Sequence, residues 1–157
     1  MSPVEIERTV FEGIIKHTEI EKMYIQIPKG IDDNEILFYK DKGNWSTTGI
    51  AGDLKIIINI SKHDVYERNG LDLVYTKTIS LKDALCGASF QIRHISGKKY
   101  TLSNTGESVI ITPNFKRVIS GLGLLRDDHK GDLIIKFIIQ FPSFLSKDKI
   151  NKLVDIL

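Results

Sequence analysis

The phrase GDLKIIINI begins at residue 52, and GDLIIKFII begins at residue 131 of the 157-residue chain. Self-similarity at such a distance, about half the chain, means one supersecondary unit used twice. A short branched-aliphatic run opened by Gly-Asp reads as a strand. The repeat extends upstream in both copies. Each runs hairpin, proline turn, short strand, glycine turn and Gly-Asp-Leu strand.

In the first copy, residues 4–10 alternate, so that Val4, Ile6 and Arg8 share one face. Residues 23–27 form the return strand of this hairpin, and Pro28-Lys29-Gly30 turns the chain. A short strand over 35–39 follows, then a turn at Lys42-Gly43-Asn44, then the strand 54–60. Its near-continuous aliphatics suggest a strand covered on both faces, or the centre of a sandwich. In the second copy, 90–95 and 99–102 make the hairpin, and 109–112 with Pro113 match 25–28. Residues 116–119 are the short strand, Gly121-Leu122-Gly123 the turn, and 133–141 the final strand.

Before the second hairpin stand a strand over 72–79 and a short helix. Ser80 can cap that helix, Asp83 sits in its first turn and Gly87 stops it. The first copy has no such strand and helix. The expectation is therefore an N-terminally truncated first domain over 1–67, a second domain over 68–145 and a terminal helix over 146–157. The fold class expected is all-β dominated and β-sandwich-like: two tandem similar domains, each with at most one short helix. In the terminal helix Ser146 is a candidate N-cap. Ile150, Leu153, Val154 and Leu157 form one apolar stripe, to be covered by the second domain or by a partner subunit.

Composition excludes several classes. Charged residues make up 27% and the net charge is +2, with no block of like charges to suggest nucleic acid or an anionic membrane. The apolar stretch 133–145 is too short to span a bilayer and carries Lys136 and Pro142. No signal peptide is visible. The single cysteine, Cys86, permits no internal disulfide and fits a reducing, cytoplasmic setting. The two sequons at Asn44 and Asn59 read as chance.

The residues carry no catalytic or metal signature. His17, His63, His94 and His129 have no His or Cys partner at ligand spacing. Asp32-Asp33 and Asp127-Asp128 belong to hydrophilic turns. Gly121-Leu122-Gly123 does not extend to a phosphate-binding loop. Trp45 reads as a local packing plug and Cys86 as a small buried side chain. Neither a metal nor another cofactor is expected, and no enzyme.

The run from Gly52 to Leu102 resembles the C-terminal region of DnaJ-class co-chaperones. His63, Tyr66, Arg68, Gly70, Asp72 and Leu73 fill the family's H-x-x-F-x-R-x-G-x-D-L element. Ile79, Ser80, Leu81, Ala84, Leu85 and Gly87 fill I-S-L-x-x-A-L-x-G. Upstream, IPKG resembles the family's I-P-x-G. Downstream, the G-x-G turn, the second GDL, the Phe141-Pro142 pair and the final helix follow in the family's order. The resemblance covers nearly the whole chain. No zinc-binding CxxCxGxG repeat, His-Pro-Asp motif or Gly/Phe-rich linker is present, so the class resembled is the one lacking the zinc finger. Ser2-Pro3 stand where the family often has a lysine.

The resemblance implies binding of unfolded or partly folded polypeptide and its delivery to a DnaK-type ATPase chaperone. The implied client groove is lined by Val4, Ile6, Ile56 and Ile58, each with ordinary core as its other reading. The implied homodimer contact uses Leu153, Val154, Ile156 and Leu157. Neither nucleic acid nor membrane is an expected partner. The alternative is a non-catalytic dimerisation or assembly module of a larger protein.

Overall fold

Alternation at the N-terminus builds the longest pair of elements. β1 (Ser2–Glu12) runs antiparallel to β2 (Ile15–Ile25), from Ser2 opposite Ile25 to Glu12 opposite Ile15. The computed structural model describes residues 1–106 and 109–157. These residues cluster into two units, Met1–Leu73 with Gly121–Asp132, and Val74–Ser120 with Leu133–Leu157. Strands dominate, as expected, and they form small sheets.

In the first unit, β3 (Ile36–Tyr39) pairs antiparallel with β4 (Leu54–Ile57), Ile36 facing Ile57 and Tyr39 facing Leu54. The expected strand 54–60 is thus shorter. Beyond Ile57 its backbone bonds to the loop before β3: Ile58 donates to the Glu35 carbonyl and accepts from Asn34 N–H. The expected cover on both faces is also corrected. Leu54 and Ile56 are half-buried, whereas Lys55 and Ile57 are exposed, because β4 has β3 as its one strand neighbour among the described residues. The unit's buried apolar residues are Ile6, Ile25, Ile31, Tyr66 and Leu73.

β5 (Tyr66–Asn69) is followed by β6 (Asp72–Ser80), which carries the chain into the second unit. There Ser80 caps α1 (Leu81–Cys86). Its hydroxyl accepts from Asp83 N–H while the Asp83 carboxylate accepts from Ser80 N–H, a reciprocal capping box. β7 (Ser89–Arg93) and β8 (Lys99–Ser103) form the second hairpin, Ser89 opposite Ser103. The expected segment 109–112 is not a strand. Its Ile111 is buried, and Ile111 N–H donates to the Ala84 carbonyl of α1.

β9 (Lys116–Ile119) leads to a small hairpin absent from the sequence reading, β10 (Leu125–Arg126) with β11 (His129–Lys130), and then to β12 (Leu133–Gln140). β12 lies between β6 and β9. Its Leu133 and Ile135 are fully buried, each contributing about 1.5–3 kcal/mol by removal from water. The Phe137 ring beside them meets Phe90 edge to face and Phe115 at a tilt. The chain ends in α2 (Lys147–Ile156), where Ser146 has extended geometry but makes no side-chain cap.

The repeated Gly-Asp has one job in both copies. The Asp53 carboxylate accepts from Asp41 N–H at 3.1 Å, and the Asp132 carboxylate accepts from Gly121 N–H at 2.9 Å. Beside them, Gly43 N–H donates to the Gly52 carbonyl and Gly123 N–H to the Gly131 carbonyl. Each pair locks the preceding turn onto the start of its strand. The copies differ in crowding. A Cβ on Gly131 would strike the Leu71 carbonyl, whereas one on Gly52 would meet only the Asn44 oxygen at 3.4 Å, an ordinary contact. Gly131→Ala is therefore expected to destabilise the protein by about 1–3 kcal/mol. Gly52→Ala is expected to stay within about 0.5 kcal/mol of the parent, and urea titrations of the two variants check both.

Candidate functional site

Side chains on β1 alternate, and the face holding Val4, Ile6 and Arg8 turns inward. Val4 is half-buried opposite Met23, and Ile6 is buried opposite Glu21. Arg8 sits next along this face, with ion pairs to Glu19 at 3.2 Å and Glu21 at 2.9 Å. Lys42, from the turn after β3, closes on the other Glu21 oxygen. These cations hold the Glu21 carboxyl below the usual 4.5, through the Lys42 hydrogen bond first and then the charges of Arg8 and Lys42, against the opposing effect of desolvation. The same turn clasps β1 by its backbone. Asn44 Oδ1 accepts from Thr9 N–H at 2.8 Å, and Trp45 N–H donates to the Thr9 carbonyl at 2.8 Å. Asn44, the sequon asparagine, thus serves as a structural pin.

Ile56 on β4 and Ile58 just beyond its end, the other two candidate groove residues, are half-buried. The four candidates therefore lie in one unit but apart in its sheets: Val4 and Ile6 on the β1–β2 ribbon, Ile56 on the β3–β4 ribbon and Ile58 just beyond the end of β4. The opposite face of β3–β4 was missed in the sequence. It exposes Ile36, Phe38 and Ile57, with Lys55 Nζ 5.5 Å from the Phe38 ring centre. ILFY holds three apolar side chains and one tyrosine and no charge, so alternation there gives no clearly polar face to mark the outside.

The repeat allows a direct comparison. By position after Gly-Asp, Leu54, Ile56 and Ile58 correspond to Leu133, Ile135 and Phe137. The latter three are buried in the core of their unit. There β6 occupies the edge of β12, and α1 contacts the same strand. The equivalent edge of β4 takes no strand among those described.

The candidate dimer residues lie on α2, which buries none of its residues, and at its C-cap, Leu157. Leu153 is 37% exposed and Val154 73%, with Ile156 and Leu157 more exposed still. The stripe is present and uncovered. Cys86 is exposed at the end of α1, which corrects the expectation of a buried thiol: the buried position of that helix is Ala84. His63 accepts Val65 and Tyr66 N–H on Nδ1, and buried His94 bonds Ser96, so both close local turns. Among the described residues, no three His, Cys, Asp or Glu side chains gather as a metal site, and no helix is long and apolar enough to cross a membrane.

A family model described as "DnaJ C terminal domain" matches residues 2–142. The human "DnaJ homolog subfamily A member 2" is 30% identical over 88% of the chain and 35% of its own length. The Drosophila melanogaster "DnaJ protein homolog 1" is 32% identical over 90% of the chain and 42% of its own length. The "Mitochondrial protein import protein MAS5" of Saccharomyces cerevisiae is 33% identical over 85% of the chain and 33% of its own length. The chain thus spans between a third and somewhat over two-fifths of these relatives.

The charge cluster behind Ile6 generates a pH prediction. A carboxyl held below its ordinary value stabilises the fold above that value, and the stabilisation disappears as pH falls through the folded value. Glu21→Gln is expected to lower stability at pH 7. The gap from the parent should close as pH falls below 4.5, the ordinary glutamate value. Denaturant midpoints measured from pH 7 to pH 3 check it.

Proposed function

Because the chain belongs to the DnaJ C-terminal domain family, we propose that it is the client-binding and dimerisation region of a co-chaperone. In this reading it holds unfolded or partly folded polypeptide in its first unit and presents it to a DnaK-type ATPase chaperone. The role is non-catalytic: residues bind and orient an extended chain, and no bond is broken. The observation that carries the reading is the half-open apolar surface of the first unit beside unpaired strand edges. An edge strand offers a row of backbone donors and acceptors to an incoming extended segment. Apolar pockets beside the edge then select its alternate side chains.

The comparison of the two copies supports this. Positions equivalent to Ile56 and Ile58 are core where a strand and helix cover them, and half-buried where, among the described residues, no second strand pairs with β4. A surface with the composition of a core, left half-open, favours an apolar strand as its ligand. Val4, half-buried on the β1–β2 ribbon of the same unit, adds a second apolar element to this reading. Ile6 is buried, so within this reading it supports the surface more than it touches the client. The exposed lone thiol fits a reducing, cytoplasmic compartment. The mild charge, +2, gives no reason to add nucleic acid or a membrane as a partner.

A second reading, a dimerisation or assembly module, is favoured by one observation: the uncovered stripe of α2. Leu153, Val154, Ile156 and Leu157 would pair with the same residues of a second copy. Ten helical residues with such a stripe have little stability alone, so burial is expected to come from a partner.

Two measurements test these readings. A fluorescent, unfolded apolar peptide is expected to bind the parent, and Val4→Asp or Ile56→Asp is expected to weaken it roughly tenfold, as a charge on an apolar contact does. An unchanged affinity in folded variants would overturn the groove. In sedimentation equilibrium the parent is expected to be dimeric and the Leu153→Asp, Val154→Asp double variant monomeric. A monomeric parent at tens of micromolar would remove the dimer.

A further inference from the structure

The loop between β2 and β3 is held by two arginines that come from far along the chain. Arg68, on β5, donates through Nη1 to the Ile31 carbonyl at 2.6 Å and through Nη2 to the Gly30 carbonyl at 2.9 Å. Its Nη2 also meets the Asp32 carboxylate at 2.7 Å, while its Nε is tied to its own turn at the Gly70 carbonyl. Arg126, on β10, grips the Glu35 carboxylate with both Nη atoms, at 2.8 and 2.9 Å, and reaches the second Asp32 oxygen at 3.2 Å. Asp32 thus bridges the two guanidinium groups. All these residues belong to the first unit.

The segment Gly121–Asp132, which carries Arg126, is attached in two different ways. At its base the bonds are backbone-centred: Leu124 N–H to the Leu71 carbonyl, Leu73 N–H to the Asp132 carbonyl, and Asp132 N–H to the Asp72 carboxylate. At its tip, the two-residue hairpin β10–β11, the side-chain attachment is Arg126. The tip also lies flush on the loop. A Cβ on Gly30 would stand 2.7 Å from the Leu125 carbonyl oxygen and 2.9 Å from Arg126 Cβ, so glycine alone permits this approach. Backbone pairing is insensitive to salt, whereas a solvent-accessible ion pair is screened by it. The two ends of the segment therefore answer differently to the same conditions.

The loop that receives the tip has a second contact. Asn34 N–H donates to the Ile58 carbonyl, Ile58 N–H to the Glu35 carbonyl, and Ile60 N–H to the Asp33 carboxylate. Asp32 and Glu35, the residues that Arg126 grips, are interleaved with Asp33 and Asn34, the residues that hold 58–60.

We propose that Gly121–Asp132 is a strap whose tip is latched by Arg126 onto Asp32 and Glu35, and that releasing this latch loosens the 33–35 grip on Ile58 and Ile60. The charged groups at the latch are Asp32, Asp33, Glu35, Arg68, Arg126 and Asp127. The bidentate Arg126–Glu35 pair is the part that geometry makes strong. Arg68 stays engaged when the latch opens, because its Nε, Nη1 and Nη2 all donate to backbone carbonyls. The link from Ile58 to client binding rests on the reading above, but the latch does not.

The test is amide hydrogen exchange resolved by NMR, with no client present, so its failure is distinct from failure of the client reading. In Arg126→Ala, amides of 125–130 and those of Ile58 and Ile60 are expected to exchange about tenfold faster, while β1–β2 and Leu73 keep the parent's rates. Raising salt to about 1 M is expected to move the parent toward the variant. The charge-reversed pair Arg126→Glu with Glu35→Arg is expected to restore much of the protection. Unchanged exchange in Arg126→Ala overturns the latch. Faster exchange at the tip with Ile58 and Ile60 unchanged overturns the coupling. A uniform rise across the unit overturns both, since it would make Arg126 a determinant of global stability.

Discussion

An aspartate carboxylate set against a turn amide is the contact on which both halves of this protein are registered. Asp53 receives Asp41 N–H, and Asp132 receives Gly121 N–H. Each bond fixes where the following strand begins, and in a strand that decides which side chains face inward. From Leu54 the inward set is Leu54 and Ile56, and from Leu133 it is Leu133, Ile135 and Phe137. A slip of one residue would turn Lys55 or Lys136 inward and the aliphatics out. The phrase Gly-Asp-Leu therefore encodes a register as much as a turn.

From that shared corner the copies diverge by what surrounds them. β12 has a strand on each edge and a helix against it, and its aliphatics become core. Among the described residues β4 has one strand neighbour, and the same aliphatics become a half-open surface. The proposed division of labour follows from this difference in cover. One unit supplies a packed body, and the other supplies unpaired edges and apolar surface. The exposed stripe of α2 adds a third surface with the same property.

Much of this was legible along the chain. Alternation placed the first hairpin, Gly-Asp-Leu located both registered strands, and Ser80, Asp83 and Gly87 marked a six-residue helix with its caps. The extent of strand cover was not legible, because GDLKIIINI and GDLIIKFII are nearly equal in hydrophobicity while their neighbours differ. Nor was the role of Arg68 and Arg126: their partners are 36 and 91 residues away, and one of the carboxylates, Asp32, read as part of a solvated turn. Residues 121–132 follow β9 directly yet cluster with the first unit, an arrangement carried by backbone bonds such as Leu124 to Leu71 that leave no pattern in side-chain type. Among the candidate site residues, the pattern placed Ile6 on the inward face but could not grade its burial against that of Val4.

The most direct measurement is an NMR titration of the isotope-labelled chain with an unfolded apolar peptide. The account predicts saturable shifts confined to the first unit, along β1 and around Ile56 and Ile58, with β12 and α2 silent. Shifts centred on the second unit, or none at high micromolar peptide, would contradict it.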